Sequence, residues 1–320
     1  MSWDVILPFL RPIEALIKDP DISDIMVQGD GPVFIEKFGH MHVVPGASVR
    51  EKSLQFALRN IARALDADIN EESPLLDSRL PDGSRVAAVL APVAVGGTAL
   101  TIRKFHSHLY TAEELVRLGS VPEGLMSELK GAVEGRQNIL ISGGTGSGKT
   151  TLLTALAAFI PAGERLITIE DTCEIQIARD NLVRLEARRE QPGLAGVSVR
   201  GLLRTTLRLR PDRILLGEVR SGEAFDLLQA LNTGHAGTLS TIHANSAELA
   251  LSRFTTCVLL SGIELPYRAI RSNIADALNL VIHTDRREGR RIVTQALRIT
   301  RYDAAADQYQ FETLYERTPS

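Results

Sequence analysis

The sequence predicts an α/β protein in which a parallel, doubly wound sheet carrying a phosphate-binding loop follows a smaller α+β module. Three observations point there. Gly143 to Thr150 reads Gly-Gly-Thr-Gly-Ser-Gly-Lys-Thr, between the apolar run Asn138-Ile139-Leu140-Ile141 and a helix-like run from Leu152 to Ala158. Strand-like and helix-like runs then alternate to residue 261, the pattern of parallel strands joined by helical crossovers. Before residue 105 the runs are shorter and divided by turn residues, as in antiparallel sheets. These shifts of pattern set the expected boundaries: 1–108 for the first module, 109–134 for a linker with lead-in helices, and 135–320 for the larger domain.

In chain order, the apolar run Val5 to Leu10 contains Pro8 and lacks a basic start, so it is expected to pack on the first module rather than serve as a secretion signal. Ile25-Met26-Val27, Val33-Phe34-Ile35 and Met41-His42-Val43-Val44 read as strands, separated by Gly29-Asp30-Gly31-Pro32 and Gly39-His40. Apolar residues at 54, 58, 61 and 65 predict an amphipathic helix over 49–65. Arg85 to Leu90 and Ala99 to Phe105 add strands, with Pro81-Asp82-Gly83-Ser84 as a turn joining two extended segments. Helical patterns from Tyr110 to Glu134, broken by Gly119, Pro122 and Gly131, read as a hinge. Strands are then expected at 138–142, 165–170, 213–217 and 238–242, with helices at 150–159, 198–209, 220–232 and 246–261. Leu278 to His283, Arg291 to Ile299 and Tyr309 to Tyr315 read as closing antiparallel strands.

Composition narrows the function. A net charge of −3 gives no bulk attraction to nucleic acid or anionic lipid. Cys173 and Cys257, the two cysteines, make neither a disulfide framework nor a four-cysteine zinc site, which suits a reducing compartment. No apolar stretch approaches the roughly 20 residues that span a bilayer, so membrane association is expected to be peripheral.

The loop is the strongest chemical signal. Glycines at 143, 144, 146 and 148 let the backbone curl so that N–H groups point at phosphate oxygens, and the following helix presents its positive end. Lys149 is placed to reach the β- and γ-phosphates and Thr150 to put a hydroxyl on Mg²⁺, so the segment from Gly143 through Thr145 and Ser147 to Thr151 is the expected ATP site. Hydrolysis also needs an acid near Mg²⁺ and a group that orients water. Two apolar strands stop at carboxylates, one at Glu170-Asp171-Thr172-Cys173-Glu174 and one at Gly217-Glu218. A common Walker B strand offers Asp where this chain has Gly217, which leaves Glu218 to act on Mg²⁺ through water or to orient the attacking water. The alternative for both clusters is helix capping. His235 and His243 flank a short strand, and their spacing lacks the third ligand of a zinc site. Arginines at 179, 184, 188, 189, 200, 204, 208, 210 and 213 read either as a solvated or interface face or as a source of a trans-acting arginine.

Together these segments resemble the secretion ATPase superfamily of type II and type IV secretion systems and pili, and within it the TrbB-like conjugal transfer branch. The matching residues are Gly143 to Thr150, the acidic box Ile169 to Glu174, the Gly-Glu form of Walker B in Arg210 to Arg220, and the histidine box Thr233 to Ser246. Ser23-Asp24-Ile25-Met26 and Thr101-Ile102-Arg103-Lys104 extend the likeness into the first module. The resemblance implies a homo-hexameric ring whose subunits join an amino-terminal domain to a RecA-like P-loop NTPase motor. It implies work at the cytoplasmic face of the inner membrane with secretion or conjugation proteins as partners. By the same match, Lys149 and Thr150 hold phosphate and Mg²⁺, Glu174 or Glu218 positions or activates water, and His243, with His235 as a second candidate, reads nucleotide state. Arg103 would approach the phosphates from the first module, with Arg85 a weaker candidate. Type II members often carry a four-cysteine zinc motif that this chain cannot build, though pilus retraction members are not excluded by that.

A RecA-like nucleic-acid translocase and a small-molecule kinase compete with this reading. Direct nucleic-acid binding would need a basic channel with interleaved aromatics, and few aromatics lie among the arginines. A kinase leaves the histidine box and first module without a role.

Overall fold

The computed structural model describes residues 7–37, 40–65, 67–80, 82–105, 109–188, 190 and 194–317. Two compact units divide the chain, Met1–His108 and Leu109–Ser320. Gly39, Pro81, Arg189 and the start of the run from Val5 lie outside the described residues.

The first unit runs α1 (Glu14–Lys18), β1 (Ile22–Gln28), β2 (Val33–Lys37), β3 (His40–Val44), α2 (Glu51–Ala64), β4 (Leu75–Arg79), β5 (Arg85–Val89) and β6 (Ala99–Arg103). Its strands form one antiparallel sheet in the order β3-β2-β1-β6-β5-β4. Alternation explains the layering: Ile25, Val27, Val86, Leu100 and Ile102 point to one face, where α2 covers them with Leu54, Leu58 and Ile61. Leu7 and Leu10 join that core. On the other face Arg79, Arg85 and Arg103 stand in one cross-strand row that runs on to Asp24 and Glu36.

The second unit runs α3 (Ala112–Arg117), α4 (Glu123–Glu134), β7 (Ile139–Gly143), α5 (Lys149–Ala157), β8 (Leu166–Glu170), β9 (Leu182–Glu186), α6 (Val199–Thr206), β10 (Arg213–Val219), α7 (Glu223–Asn232), β11 (Leu239–Ile242), α8 (Ala247–Leu259), α9 (Tyr267–Ala277), β12 (Leu280–Arg287), β13 (Arg290–Asp303) and β14 (Gln308–Glu316). Its eight-stranded sheet has the order β14-β13-β12-β7-β11-β10-β8-β9. From β12 to β9 every neighbour pair is parallel, and helices cover both faces, so β7, β8 and β10 are apolar almost throughout. One face packs Leu203, Leu227, Leu251 and Ile274 from α6 to α9. The other packs Leu115, Leu129, Leu153 and Leu156 from α3 to α5. The helices expected as a hinge are therefore built into this unit's core, with a Thr111–Glu114 capping box opening α3.

The tail departs from expectation at its first strand. Leu280 pairs in parallel with Ile139 and Thr284 with Gly143, so β12 belongs to the parallel core and only β13 and β14 close it antiparallel. The helices α8 and α9 supply the crossover that a parallel return requires. Asn138 fastens the opposite, amino-terminal edge. Its buried side chain accepts from the N–H groups of Gly237 and Thr238 at 2.8 and 3.0 Å and donates to the Ala277 carbonyl at 2.7 Å.

Candidate active site

Parallel strands share one carboxyl edge, and ligands bind doubly wound sheets there. The segment 143–151 leaves β7 on that edge, Glu170 to Glu174 leave β8, Glu218 is the penultimate residue of β10, and His243 follows β11 directly. Gly146 and Gly148 hold φ of 70° and 95°, the left-handed region that favours glycine. Gly143 is required by close approach, since a Cβ there would lie 2.3 Å from the Thr284 carbonyl oxygen of β12. Ser147 Oγ and Thr284 Oγ1, 2.9 Å apart, pin the loop to the same strand. No side chain caps α5 and no acid stands in its first turn, which leaves its N–H groups and positive dipole end to an anion. Thr150 and Thr151 are half-buried in that turn, while Gly144, Thr145 and Gly146 are exposed at the loop's crest.

Lys149 is buried to 8% exposure, and its ammonium donates to the Gly143 and Gly144 carbonyls at 3.1 and 2.7 Å. Burial holds its pKa below the ordinary lysine range, while the negative charges of Glu218 and Glu174 pull it back up. Glu218 is the hub of the acids. Its Oε1 is 3.2 Å from His243 Nε2 and its Oε2 accepts from Arg220 at 2.8 Å, while the other end of Arg220 meets Asp171 at 2.5 Å. These contacts join the acidic box, the Walker B strand and the histidine box in one charged chain. Hydrogen bonding to Glu218 raises the Arg220 pKa, and burial followed by repulsion from Lys149 lowers that of His243. His243 therefore favours its neutral form beside Glu218. A cavity of about 280 Å³ opens beside the loop, lined by Gly143, Gly144, His243, Asn245 and Arg253 among others.

Glu170 explains the missing Walker B aspartate. A Cβ at Gly217 would lie 2.8 Å from Glu170 Cγ, so the glutamate of β8 fills the space where β10 would carry a side chain. Glu170 is 3% exposed, and its Oε1 accepts the N–H groups of Glu174 and Ile175, each at 2.9 Å. Its Oε2 makes no hydrogen bond among the described residues, and burial pushes its pKa up to about 7. Glu174 itself is exposed, with its backbone fixed by Glu170.

His235 precedes β11 and sits at the amino-terminal edge, opposite His243. Within the first unit, Arg103 Nε pairs with Asp24 at 3.0 Å and Arg85 makes a two-pronged pair with Asp77 at 2.9 Å. Six of the nine dense arginines have partners in their own unit. Arg179, Arg184 and Arg188 donate to backbone carbonyls, Arg200 and Arg204 share Asp226, and Arg213 is buried on Glu164. Sequence reading held Glu170 and Arg220 inside its acidic and Walker B segments without a role for either residue, and missed Arg253. Arg220 stood inside the quoted Walker B segment, and a cation two residues after an acid at a strand end was the available signal.

Among the described residues no cluster of three or more His, Cys, Asp or Glu side chains forms a metal centre. Mg²⁺ does not need one, because one or two protein oxygens suffice when phosphate and water supply the rest. The hydroxyl of Thr150 and the carboxylate of Glu218, hard oxygen donors on the loop's edge, fit that demand.

A doubly wound core with this loop and these strand-end acids defines a P-loop ATPase of RecA-like fold, preceded by a smaller α+β domain. The chain belongs to the type II/IV secretion system protein family, whose model matches residues 9–304. It is 37% identical over 289 residues to the conjugal transfer protein TrbB of Rhizobium radiobacter, covering 89% of this chain and 86% of that protein. To the type IV secretion system protein PtlH of Bordetella pertussis it is 36% identical over 305 residues, covering 88% and 90%. Among solved structures, the VirB11 ATPase of the Brucella suis type IV secretion system, in complex with sulphate, aligns at 31% identity and a TM-score of 0.50, covering 92% of this chain and 94% of that one. Among the described residues no helix is long and apolar enough to cross a membrane.

Proposed function

We propose that this chain is the motor of a conjugative transfer or type IV secretion system, turning hydrolysis of Mg-ATP into movement of its first unit against its second within a homo-hexameric ring. The observation that carries this reading is the meeting of Lys149, Glu218, Arg220 and His243 at one sheet edge, with the Glu218–His243 contact at 3.2 Å. TrbB and PtlH, each alike over most of its length, supply the transport context.

In this reading the N–H groups of residues 143–151 and the Lys149 ammonium hold the phosphates, and Thr150 and Glu218 hold Mg²⁺, directly or through water. The metal, when bound, neutralises charge on the β- and γ-phosphates. Glu218 or Glu174 orients the attacking water and takes its proton. His243, 3.2 Å from Glu218, couples that carboxylate to the state of the γ-phosphate. Arg103 exchanges Asp24 for phosphate when the units close. The ring works at the cytoplasmic face of the inner membrane, docked on the transport apparatus.

ATP turnover of the wild type, Lys149→Ala, Glu174→Gln and Glu218→Gln at matched oligomeric state tests the assignment. Lys149→Ala and at least one glutamine variant should lose about 10²-fold or more. Wild-type turnover in Lys149→Ala would refute the site.

A further inference from the structure

We infer that Arg286 and Arg291, on the hairpin between β12 and β13, form a second cationic wall of the nucleotide site and bind the phosphates of a nucleoside di- or triphosphate. This rests on the nucleotide-binding reading of the loop. Strand β12 pairs with β7 only as far as Thr284 and Gly143, then runs on through Arg287, so its end overhangs the loop. The overhang reads Arg286-Arg287-Glu288-Gly289-Arg290-Arg291, and the positive φ of Glu288 and Gly289 (50° and 78°) makes the tight turn.

Three contacts bring the hairpin onto the loop. Arg291 Nε donates to the Gly146 carbonyl at 2.9 Å. Its Cβ and Cδ lie 3.4 Å from where a Cβ on Gly148 would stand, so the aliphatic stem lies over the glycine that precedes Lys149. Arg286 Nη1 is 3.8 Å from the corresponding point on Gly146. Arg286 faces Arg291 and Arg287 faces Arg290 in direct register, and Asp285 pairs with Arg287 at 3.0 Å. Guanidinium groups suit phosphate oxygens through charge-assisted hydrogen bonds. Thr284 pins Ser147 from the same strand, so β12 and β13 anchor the loop and supply its extra charge together.

The test is equilibrium titration of the full chain with fluorescently labelled ADP and Mg²⁺, using Arg286→Gln, Arg291→Gln, the double variant and Arg290→Gln. Each of the first two should weaken ADP binding about tenfold, with a shallower salt dependence, and the double variant more. Arg290→Gln should bind within about twofold of wild type. The rise in melting temperature on adding ADP should shrink in Arg286→Gln and Arg291→Gln relative to wild type. Wild-type ADP affinity in Arg286→Gln and Arg291→Gln, with binding by the parent intact, would overturn this inference alone. A parent chain that binds no labelled ADP would overturn the nucleotide reading with it.

Discussion

Glu170 shows how one side chain decides what its neighbours can be. Its stem occupies the space beside Gly217, so Gly217→Ala should cost about 1–3 kcal/mol by overpacking, and Glu170→Ala in the same chain should return part of that loss. Denaturant unfolding of the four proteins measures both numbers. The same carboxyl makes stability depend on pH. Its folded pKa of about 7 stands above the ordinary glutamate value of 4.5, so its contribution is complete below about 4.5 and is lost as pH rises through 7. The wild type should lose on the order of 3 kcal/mol from this group between pH 4.5 and 8, and Glu170→Gln, which keeps an acceptor for the two N–H groups, should flatten that slope. His243 behaves in the opposite sense. With its pKa lowered by burial it stays neutral near pH 7, so ATP turnover should show no histidine ionisation between about pH 7 and 8.

At the level of elements, Asn138 is the structural counterpart of the loop, one residue before the strand that ends in it. Asn138→Ala removes one donor and one twice-used acceptor from buried partners just before β11 and at the end of α9. Thermal melting should show a loss of about 2–4 kcal/mol with the fold retained. The loop, the strand-end acids and His243 were legible in the sequence because each is a contiguous motif at the end of an apolar strand. Contacts between strands were not. Nothing local joins Glu170 to Gly217, or Arg220 to Asp171, 49 residues away. Strand β9 carries a half-exposed pattern without a clear period, whereas α9, with Ile270, Ile274 and Ala277 on one face, had a helical period that was passed over. Two histidines flanking a four-residue strand must fall on opposite edges of a sheet, which is why His235 stands away from the site.

For the whole molecule, assembly is the decisive property. Gel filtration should give a sixfold assembly in the presence of ATP, and within assembled rings Arg103→Ala should lower turnover at least about tenfold while leaving the assembly intact. A monomer under all nucleotide conditions, or full activity in that variant, would refute the ring and the arginine's role respectively. The apolar interiors have a consequence for how the chain comes apart. Leu54, Leu58 and Ile61 close one interior, while Leu153, Leu251 and their neighbours close others beyond residue 109. Calorimetry should therefore resolve two heat-absorption peaks, and a fragment ending at His108 should regain its own sharp transition after dilution from urea.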